Sequence, residues 1–496
     1  FMIVMMVLLV GMITYHPVVA SGIVTTCDET SLVTALAGGG VVDFNIGMDC
    51  EIIFTSEKVI SVDTTVQNIS ANAVVFNGND LTRFFTVNKG VSLTLDNLTL
   101  QNGSAVFSGA IYNNEGILNI KNSSFIANNS TEFSYNPRSG DVRGGGAIYN
   151  FHGSLEVSNT IFDSNATVTD GSAIYSVGLT DNLITNNTFS HNHSGSAIFI
   201  RPEYFVSIGY GEGVSIRAVI VNNTFSKNDD IDLQIIDATT EIRDNTFDND
   251  NDILRNGLIY EGYGGNSVSI INNIFRNYLV TPLTVSVANF REFLTTSVRI
   301  SIQRNRFIDN TSESSCSGIL LTSGGSRVVY LGFIAGDISN NVFYGNSSPI
   351  DNAAICTSIN VYLNLDHNTF FNNNTPTGNN LSVVITETMR NGATVTARGN
   401  IFQDGSCIIA PDAIFIDGGN NISYNAVGCV GTNVDPQLNP ISNDALVPAP
   451  TSPAVNAYLP PCAVSDDQFG TVRPLDGMCD IGAVEGVTVP DNRDDL

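Results

Sequence analysis

The chain has 496 residues, of which 43% are hydrophobic and 14% are charged. This apolar fraction excludes general disorder, because disordered chains lack the residues needed to bury a core. With 21 basic and 48 acidic residues, the formal net charge is −27. A surface this acidic repels phosphate, which excludes nucleic acid as a partner.

The N-terminal segment is predicted to direct export. Residues Met2–Ile13 are almost wholly apolar, and Val18-Val19-Ala20 fits a small-residue cleavage site. This pattern is typical of a signal peptide over residues 1–20, and the apolar run is short for a membrane span. No membrane anchor is visible in the sequence, so we expect a secreted or cell-surface protein.

Residues 21–90 precede the repeats and are predicted to form an N-terminal cap followed by the first strands. Asp28–Leu36 has the pattern of a short amphipathic helix, with Asp28 as its N-cap and Gly38-Gly39-Gly40 ending it. Apolar strands follow at Glu51–Phe54 and Val74–Phe76. This segment is therefore expected to cover one end of a larger structure.

A short block of the form Asn-Asn-Thr-Phe-x-x-Asn, preceded by alternating aliphatic residues, recurs along residues 91–431. Successive aromatic positions of this block are 22 to 37 residues apart. They are Phe125, Phe162, Phe189, Phe225, Phe247, Phe275, Phe307, Phe343, Phe370 and Phe402. A second block of the form Gly-Ala-Ile-Tyr lies between them, as at Gly109–Tyr112 and Gly146–Tyr149.

Fixed blocks at variable spacing indicate one coil per repeat, with loops of different length between short strands. β-branched and aromatic residues dominate and no helical period is present, which favours β structure. A propeller has longer, four-stranded repeats, and a sandwich would not reuse one motif ten times. The pattern predicts an all-β fold, a right-handed single-stranded parallel β-helix (a pectate-lyase-like solenoid). It would have about 12 or more coils of about 4.8 Å each.

In this fold the repeated Phe residues would stack as an inward column, and the Asn residues would stack at turns. Beyond the repeats, proline becomes frequent, and residues 432–489 are predicted to form an irregular C-terminal cap. Residues 490–496 are an acidic tail.

The eight cysteines are even in number, as expected of an exported chain. Sequence alone leaves their connectivity open, but neighbours in sequence lie on adjacent layers of a stacked fold. We therefore favour sequential pairs and no metal or redox role. The candidate pairs are Cys27 with Cys50, Cys316 with Cys356, Cys407 with Cys429, and Cys462 with Cys479.

Two families share motifs with this chain. Gly-Gly-Ala-Ile at residues 145–148, alternating with Phe-x-x-Asn, resembles the repeats of polymorphic outer-membrane proteins of the chlamydial type. The C-terminal end is similar to exported β-helix proteins of the choice-of-anchor Q type, through Ser452–Asn456, Asp467-Gln468, Arg473-Pro474 and Cys479–Glu485. These resemblances imply a surface-displayed, adhesin-like β-helix. The C-terminal barrel of the first family is absent from the sequence.

Catalysis is the main alternative, because many proteins of this fold act on polysaccharides. The Gly-His-Gly and Asp-Pro-His-Asp motifs of such enzymes are missing. The nearest approaches are Phe151-His-Gly-Ser154 and Asp366-His367. His367 occupies the first Asn position of the repeat, which indicates a turn residue rather than a general base. We predict no catalytic residues, while a set without a linear motif stays open.

The densest acidic stretch suggests a possible Ca²⁺ site, although no cofactor is required by the sequence. On adjacent coils these carboxylates could converge on the cation, but the EF-hand glycine and glutamate are absent, so a solvated acidic turn is the main alternative. The candidate ligands are Asp229, Asp230, Asp232, Asp248, Asp250 and Asp252.

The longest connections mostly follow the second block and would emerge on one side of the rod. They carry aromatic and arginine residues suited to contact surfaces and sugar rings. The candidate binding residues are Arg201, Tyr204, Phe205, Tyr210, Tyr263, Phe290, Arg291, Phe293, Arg327, Tyr330 and Phe333. The alternative is that these loops bury their own aromatic side chains.

The sequence thus predicts an exported, monomeric β-helix protein with an adhesin-like role, binding a glycan or a cell-surface protein through loops on one face. A polysaccharide lyase, hydrolase or epimerase and a purely structural spacer are the alternatives. Two or three carboxylates converging with an arginine or lysine on one face would favour the enzyme.

Overall fold

In the computed structural model, the described residues form one short helix and three long parallel sheets, and the helix follows the first strand. The structure describes residues 22–131, 135–136, 141–142, 144–178, 180–203, 216–250, 254–263, 265–288, 297–312, 316–324, 332–348, 354–358, 360–373, 383–385, 393–409, 411, 413–439 and 445–486. The predicted signal peptide and acidic tail lie outside these ranges.

The helix covers the N-terminal end, as predicted. It spans Glu29–Leu36, and the side chain of Asp28 caps it by accepting a hydrogen bond from the backbone N–H of Ser31 at 2.8 Å. Leu32 is fully buried against the first strands.

Between Lys58 and Ser406, each coil contributes one strand to each of three sheets, in the order sheet 3, sheet 1, sheet 2. Every strand pair in these sheets is parallel and in register, and the fold is a right-handed parallel β-helix, which confirms the predicted class. The 15 strands of sheet 1 are Gly22–Val24, Gly40–Phe44, Thr64–Asn68, Ser92–Asp96, Ile117–Lys121, Ser154–Ser158, Asn182–Thr185, Ile216–Val221, Ala238–Arg243, Ser267–Ile271, Ser297–Gln303, Phe333–Ser339, Val361–Asp366, Thr394–Arg398 and Ile414–Asp417.

The other two sheets complete the wall of the rod. The 14 strands of sheet 2 are Cys50–Ile53, Val74–Asn77, Thr99–Gln101, Ser124–Ile126, Ile161–Asp163, Thr188–Ser190, Thr224–Ser226, Thr246–Asp248, Ile274–Arg276, Arg306–Ile308, Val342–Tyr344, Thr369–Phe371, Ile401–Ser406 and Ile422–Val427. The 12 strands of sheet 3 are Lys58–Ile60, Phe85–Val87, Ile111–Asn114, Ile148–Phe151, Ile174–Val177, Ser196–Arg201, Ile231–Ile236, Asn256–Gly262, Leu283–Ala288, Ile319–Gly324, Ile355–Thr357 and Val383–Ile385. Two small sheets pair Ser104–Ala105 with Asn129–Ser130, and Tyr135–Asn136 with Asp141–Val142.

The ten repeated Phe residues form the predicted inward column. From Phe125 to Phe402, successive rings stack with centroids 4.7 to 5.1 Å apart and interplanar angles of 1° to 12°. All of them are fully buried. Sequence periodicity therefore identified the core correctly.

The Asn residues of the repeat have two distinct roles. The first position of each block, most often Asn, turns the chain from sheet 1 to sheet 2 with a positive φ, as at Asn186 (58°) and Asn222 (54°). The second Asn is buried and its side chain bonds to the equivalent Asn in the next coil, as when Asn273 Nδ2 donates to Asn305 Oδ1 at 3.0 Å. A further ladder runs through the Asn of Phe-x-x-Asn, including Asn165 and its neighbours.

The four disulfides join neighbouring cysteines along the sequence, the pairing that the sequence analysis favoured. They are Cys27–Cys50, Cys316–Cys356, Cys407–Cys429 and Cys462–Cys479.

The C-terminal segment 445–486 contacts the side of the rod. Its Asp466 bonds to Arg304 and Asn340, several coils before the last one. Leu446 and Ala483 pack against Val342 of sheet 2. Residues of this segment thus form a lateral support for the coils that they contact.

Candidate functional site

An open cleft lies on the outer face of sheet 1. It has a volume of about 330 Å³ and is formed by three consecutive strands. Its lining residues are Ser267, Val268, Ser269, Arg299, Ile300, Ser301, Ala335, Gly336 and Asp337. Each of these strands follows one of the long connections predicted to carry ligand-binding residues.

Strand alternation fixes which side chains reach this face. Ile300 and Ile338 are buried in the core, so their neighbours Arg299, Ser301 and Asp337 point outward. Gly336 is required in the floor, because a Cβ there would stand 1.9 Å from the carbonyl oxygen of Ile300.

The pairing register sets the outward side chains in three rows along the rod. The first row is Ser267, Arg299, Ala335, Tyr362 and Thr394. The second row is Ser269, Ser301, Asp337, Asn364 and Thr396. The third row is Ile271, Gln303, Ser339, Asp366 and Arg398. We call these 15 positions the sheet 1 face.

Two exposed aromatic rings extend the face beyond the cleft. Phe333 is 36% exposed and Tyr362 is 46% exposed, and their ring centroids are 6.5 Å apart in an edge-to-face arrangement. Asn364 lies two residues beyond Tyr362 and donates from Nδ2 to Asp337 Oδ1 at 2.8 Å. Apolar rings and planar polar groups therefore stand side by side.

Arg299 is distinguished by having no ion pair. Elsewhere in this acidic chain, arginines such as Arg276 and Arg398 lie within 4 Å of a carboxylate. The backbone N–H of Arg299 donates to the carbonyl oxygen of Asn266 at 3.1 Å, but its side chain makes neither an ion pair nor a hydrogen bond to any residue that the structure describes, and it lines the cleft. Its five N–H groups are available to a ligand.

The predicted binding residues divide between two surfaces. Phe333 lies at the edge of the sheet 1 face, where its ring contacts Tyr362. Arg201 and Tyr263 instead pack on the outer side of sheet 3, where Arg201 Nε donates to Tyr175 Oη at 2.8 Å. Eight other predicted binding residues lie outside the described ranges, and so does Asp252. These are Tyr204, Phe205, Tyr210, Phe290, Arg291, Phe293, Arg327 and Tyr330.

The acidic stretch is divided among separate partners. Asp232 is fully buried 3.3 Å from Arg255 and accepts hydrogen bonds from Asn228 and Tyr278, so its carboxylate faces away from solvent. The others contact cationic or histidine side chains or stand apart. Asp229 is 2.6 Å from His193, Asp248 is 2.7 Å from Arg276, and Asp250 is 3.6 Å from Lys227.

The charges of Asp230 and Arg201 shift the pKa of Asp170, which is not among the residues predicted from the sequence. Burial and then the charge of Asp230 raise the pKa of Asp170, while Arg201 lowers it. In the described part of the chain, no three potential ligand side chains converge closely enough to hold a metal ion. The Ca²⁺ site remains a prediction.

Sequence reasoning also missed the partner of His152. Its Nε2 is 2.5 Å from Glu203 Oε2, a contact made by a residue 51 positions later in the chain. Nothing in the local sequence around His152 could indicate this pairing. The contact depends on how the coils between the two residues stack, which brings Glu203 next to His152.

Comparison with known proteins found only distant likenesses. No protein-family model matches the chain, and no curated protein matches it. Among solved structures, it is similar to a PL6 alginate lyase in complex with a trisaccharide (14% identity over 95% of this chain and 97% of that chain, TM-score 0.37). A second alginate lyase shares 12% identity over 95% and 97% of the chains, with a TM-score of 0.40. The catalytic domain of a GH87 α-1,3-glucanase shares 10% over 81% and 69%, with a TM-score of 0.33.

Proposed function

We propose that this chain is an exported or cell-surface β-helix protein that binds a glycan along the sheet 1 face. The observation that carries the proposal is the cleft, which is lined by the guanidinium of Arg299 and the carboxylate of Asp337 and is extended along the rod by the exposed rings of Phe333 and Tyr362. Aromatic faces suit the apolar faces of sugar rings, and planar polar groups suit their hydroxyls.

The direction of the face favours a polymer over a small molecule. The three rows run across five strands, so they extend about 20 Å along the rod at about 4.8 Å per strand. A chain of sugar residues lying across the strands would meet similar polar groups at each step. The adhesin-like role expected from the sequence would follow from this binding.

Export is supported by the disulfides, because such bonds persist mainly outside the cytosol. No helix in the described ranges is long and apolar enough to cross a membrane.

The test is binding of the purified chain to an array of polysaccharides, followed by titration of any glycan retained. Tyr362→Ala and Arg299→Ala are expected to weaken binding about tenfold each, equivalent to about 1.4 kcal/mol. The control is Arg217→Ala, which removes an exposed arginine from an earlier strand of sheet 1 that does not line the cleft.

Equal binding by all three variants would place the ligand elsewhere and contradict the proposal. Absence of binding to every polysaccharide on the array would also contradict the proposal. That result would favour a structural spacer or a protein ligand.

A further inference from the structure

The charge of the Arg299 side chain is not neutralised by a neighbouring carboxylate. Other arginines on the outer side of sheet 1 have such a partner: Arg243 Nε is 2.8 Å from Glu241, and Arg398 Nε is 3.8 Å from Asp366. Arg299 has none among the described residues, although the chain carries 48 acidic and only 21 basic residues. The cleft therefore contains a cationic group whose charge is left for a ligand.

The carboxylates nearest to Arg299 on the same face are held by other side chains. Asp337 also lines the cleft, but its Oδ1 accepts from Asn364 Nδ2 at 2.8 Å, and no ion pair joins Asp337 to Arg299. Glu241, on an earlier strand, contacts Arg243. The guanidinium of Arg299 is exposed, so an anion can reach it from the open side of the cleft.

Small side chains around Arg299 leave room for a ligand group beside it. Its in-register neighbours on the two flanking strands are Ser267 and Ala335. Ser301 lies two residues further along the strand of Arg299 and points outward as well. Serine hydroxyls can donate hydrogen bonds, so the part of the cleft around Arg299 offers donors, whereas Asp337 offers acceptors.

This donor set fits a carboxylate better than a sugar hydroxyl. A guanidinium presents parallel N–H groups that match the two oxygens of a carboxylate, and charge-assisted hydrogen bonds are stronger than neutral ones. A sugar acid supplies such a carboxylate for Arg299. Its ring hydroxyls can donate to Asp337 at the same time.

We propose that the cleft selects a polysaccharide that contains uronic acid, and that Arg299 determines this specificity by binding one carboxylate through its guanidinium. This inference rests on the proposed function, since it names the class of the glycan bound on the sheet 1 face.

The spacing of Arg299 and Tyr362 fits a polymer of such sugars. The two residues stand in the first row with Ala335 between them, so their Cα atoms are about 10 Å apart. This distance exceeds the width of one sugar ring. The ring that packs on Tyr362 and the carboxylate that binds Arg299 therefore belong to different residues of one chain.

The overall acidity of the protein does not prevent this binding. The formal net charge of −27 repels a polyanion at long range. At an ionic strength of about 0.15 M, however, exposed charges more than about 8 Å apart are largely screened from each other. The contact with Arg299 is direct, so it is weakened much less than the repulsion from distant carboxylates.

The experiment measures the affinity of the full chain for acidic polymers and their neutral counterparts at about 0.15 M ionic strength. The probes are polygalacturonate, polyglucuronate and a copolymer of mannuronate and guluronate. Each is compared with the same polymer after reduction of its carboxyl groups to hydroxymethyl groups, and dextran sulfate is compared with dextran. Wild type is expected to bind at least one polyuronate about tenfold or more tightly than its reduced form, because the charge-assisted hydrogen bonds are lost on reduction.

Three variants test the role of the guanidinium. Arg299→Gln should bind the two forms of that polymer with affinities within about twofold of each other. Arg299→Lys should keep part of the preference, since it retains the charge but not the planar fork. The control is Arg217→Gln, which removes an exposed arginine outside the cleft and should keep the full preference. The side chain of Arg299 makes no hydrogen bond or ion pair within the described ranges, so Arg299→Gln should melt at the wild-type temperature.

The outcomes separate the two proposals. Equal binding of the polyuronates and their reduced forms by wild type would overturn the selection of uronic acid and leave glycan binding intact. The same holds for a preference that survives in Arg299→Gln or is lost in Arg217→Gln, and for tighter binding to dextran sulfate than to every polyuronate. Absence of binding to any acidic or neutral polymer would overturn the proposed function itself.

Discussion

Tyr458 Oη lies 2.5 Å from Nε2 of His367, although 91 residues separate them in the chain. Their rings stack with centroids 5.8 Å apart. His367 is fully buried at a turn with a φ of 55°, the position that Asn holds in most repeats. The contact therefore fastens the C-terminal segment to the turn between sheets 1 and 2.

The buried imidazole makes stability depend on pH. Burial and then the charge of Arg473 lower the pKa of His367 well below 6.5, so the folded state keeps the ring neutral. The unfolded state binds a proton near pH 6.5, and stability should therefore fall as the pH drops below that value.

His367→Asn is expected to flatten the dependence of melting temperature on pH between 7 and 5. Tyr458→Phe keeps the imidazole and should retain the wild-type slope, apart from a constant loss. An unchanged slope in His367→Asn would contradict the role assigned to this residue.

The buried pair Arg473–Glu485 holds the C-terminal segment together. Glu485 Oε2 accepts from Arg473 at 2.7 Å, and its two oxygens also accept from the backbone N–H groups of Asp480 and Leu475. Glu485→Gln would leave a buried guanidinium without its counter-charge, and should cost about 3–5 kcal/mol in denaturant unfolding followed by circular dichroism.

The matched control for that pair is Glu115→Gln, which breaks an exposed contact with Lys89 and should cost less than about 1 kcal/mol. Similar losses in both variants would show that the buried network does not stabilise the segment.

The inner Asn ladder is predicted to contribute strongly to stability. Asn305 donates from Nδ2 to the carbonyl oxygen of Ile270 and to Asn341 Oδ1, while its own Oδ1 accepts from Asn273. Asn305→Ala leaves several buried polar groups unpaired and should cost about 2–4 kcal/mol in denaturant unfolding. Asn119→Ala, on the outer side of sheet 1, should cost less than about 0.5 kcal/mol, and an equal cost would argue against the ladder.

Asp366 offers a stability test that is independent of any ligand. Because its folded pKa of about 6 lies above the ordinary value of 3.8, the folded state loses stability as the pH rises through 6. Asp366→Asn should therefore raise the free energy of unfolding at pH 8 by up to about 3 kcal/mol, and have little effect at pH 4. Equal effects at both pH values would contradict the raised pKa.

Sequence reasoning identified the coil architecture because the same physical constraint recurs in every repeat. From Phe125 to Phe402 a stacked Phe recurs in every coil and a bonded Asn in most of them, so the motif predicts these core residues directly. The helix capped by Asp28 was also predictable, because its signals are local.

The sheet 1 face was missed because its residues belong to different coils. Arg299, Asp337 and Asn364 form no linear motif. Aligning the repeats on their turn residues Arg304, Asn340 and His367 would have revealed them, since the three rows lie five, three and one residues before each turn. The sequence contains these fixed offsets, but they identify neighbouring side chains only once the pairing register of the strands is known.

The most direct test of the account is a crystal structure of the chain with an oligosaccharide that it retains. We predict that the sugar lies across the strands on the sheet 1 face, with one ring against Tyr362 and its polar groups beside Arg299 and Asp337. A sugar bound instead on sheet 3, or against the C-terminal segment, would contradict the assignment of this face as the functional surface.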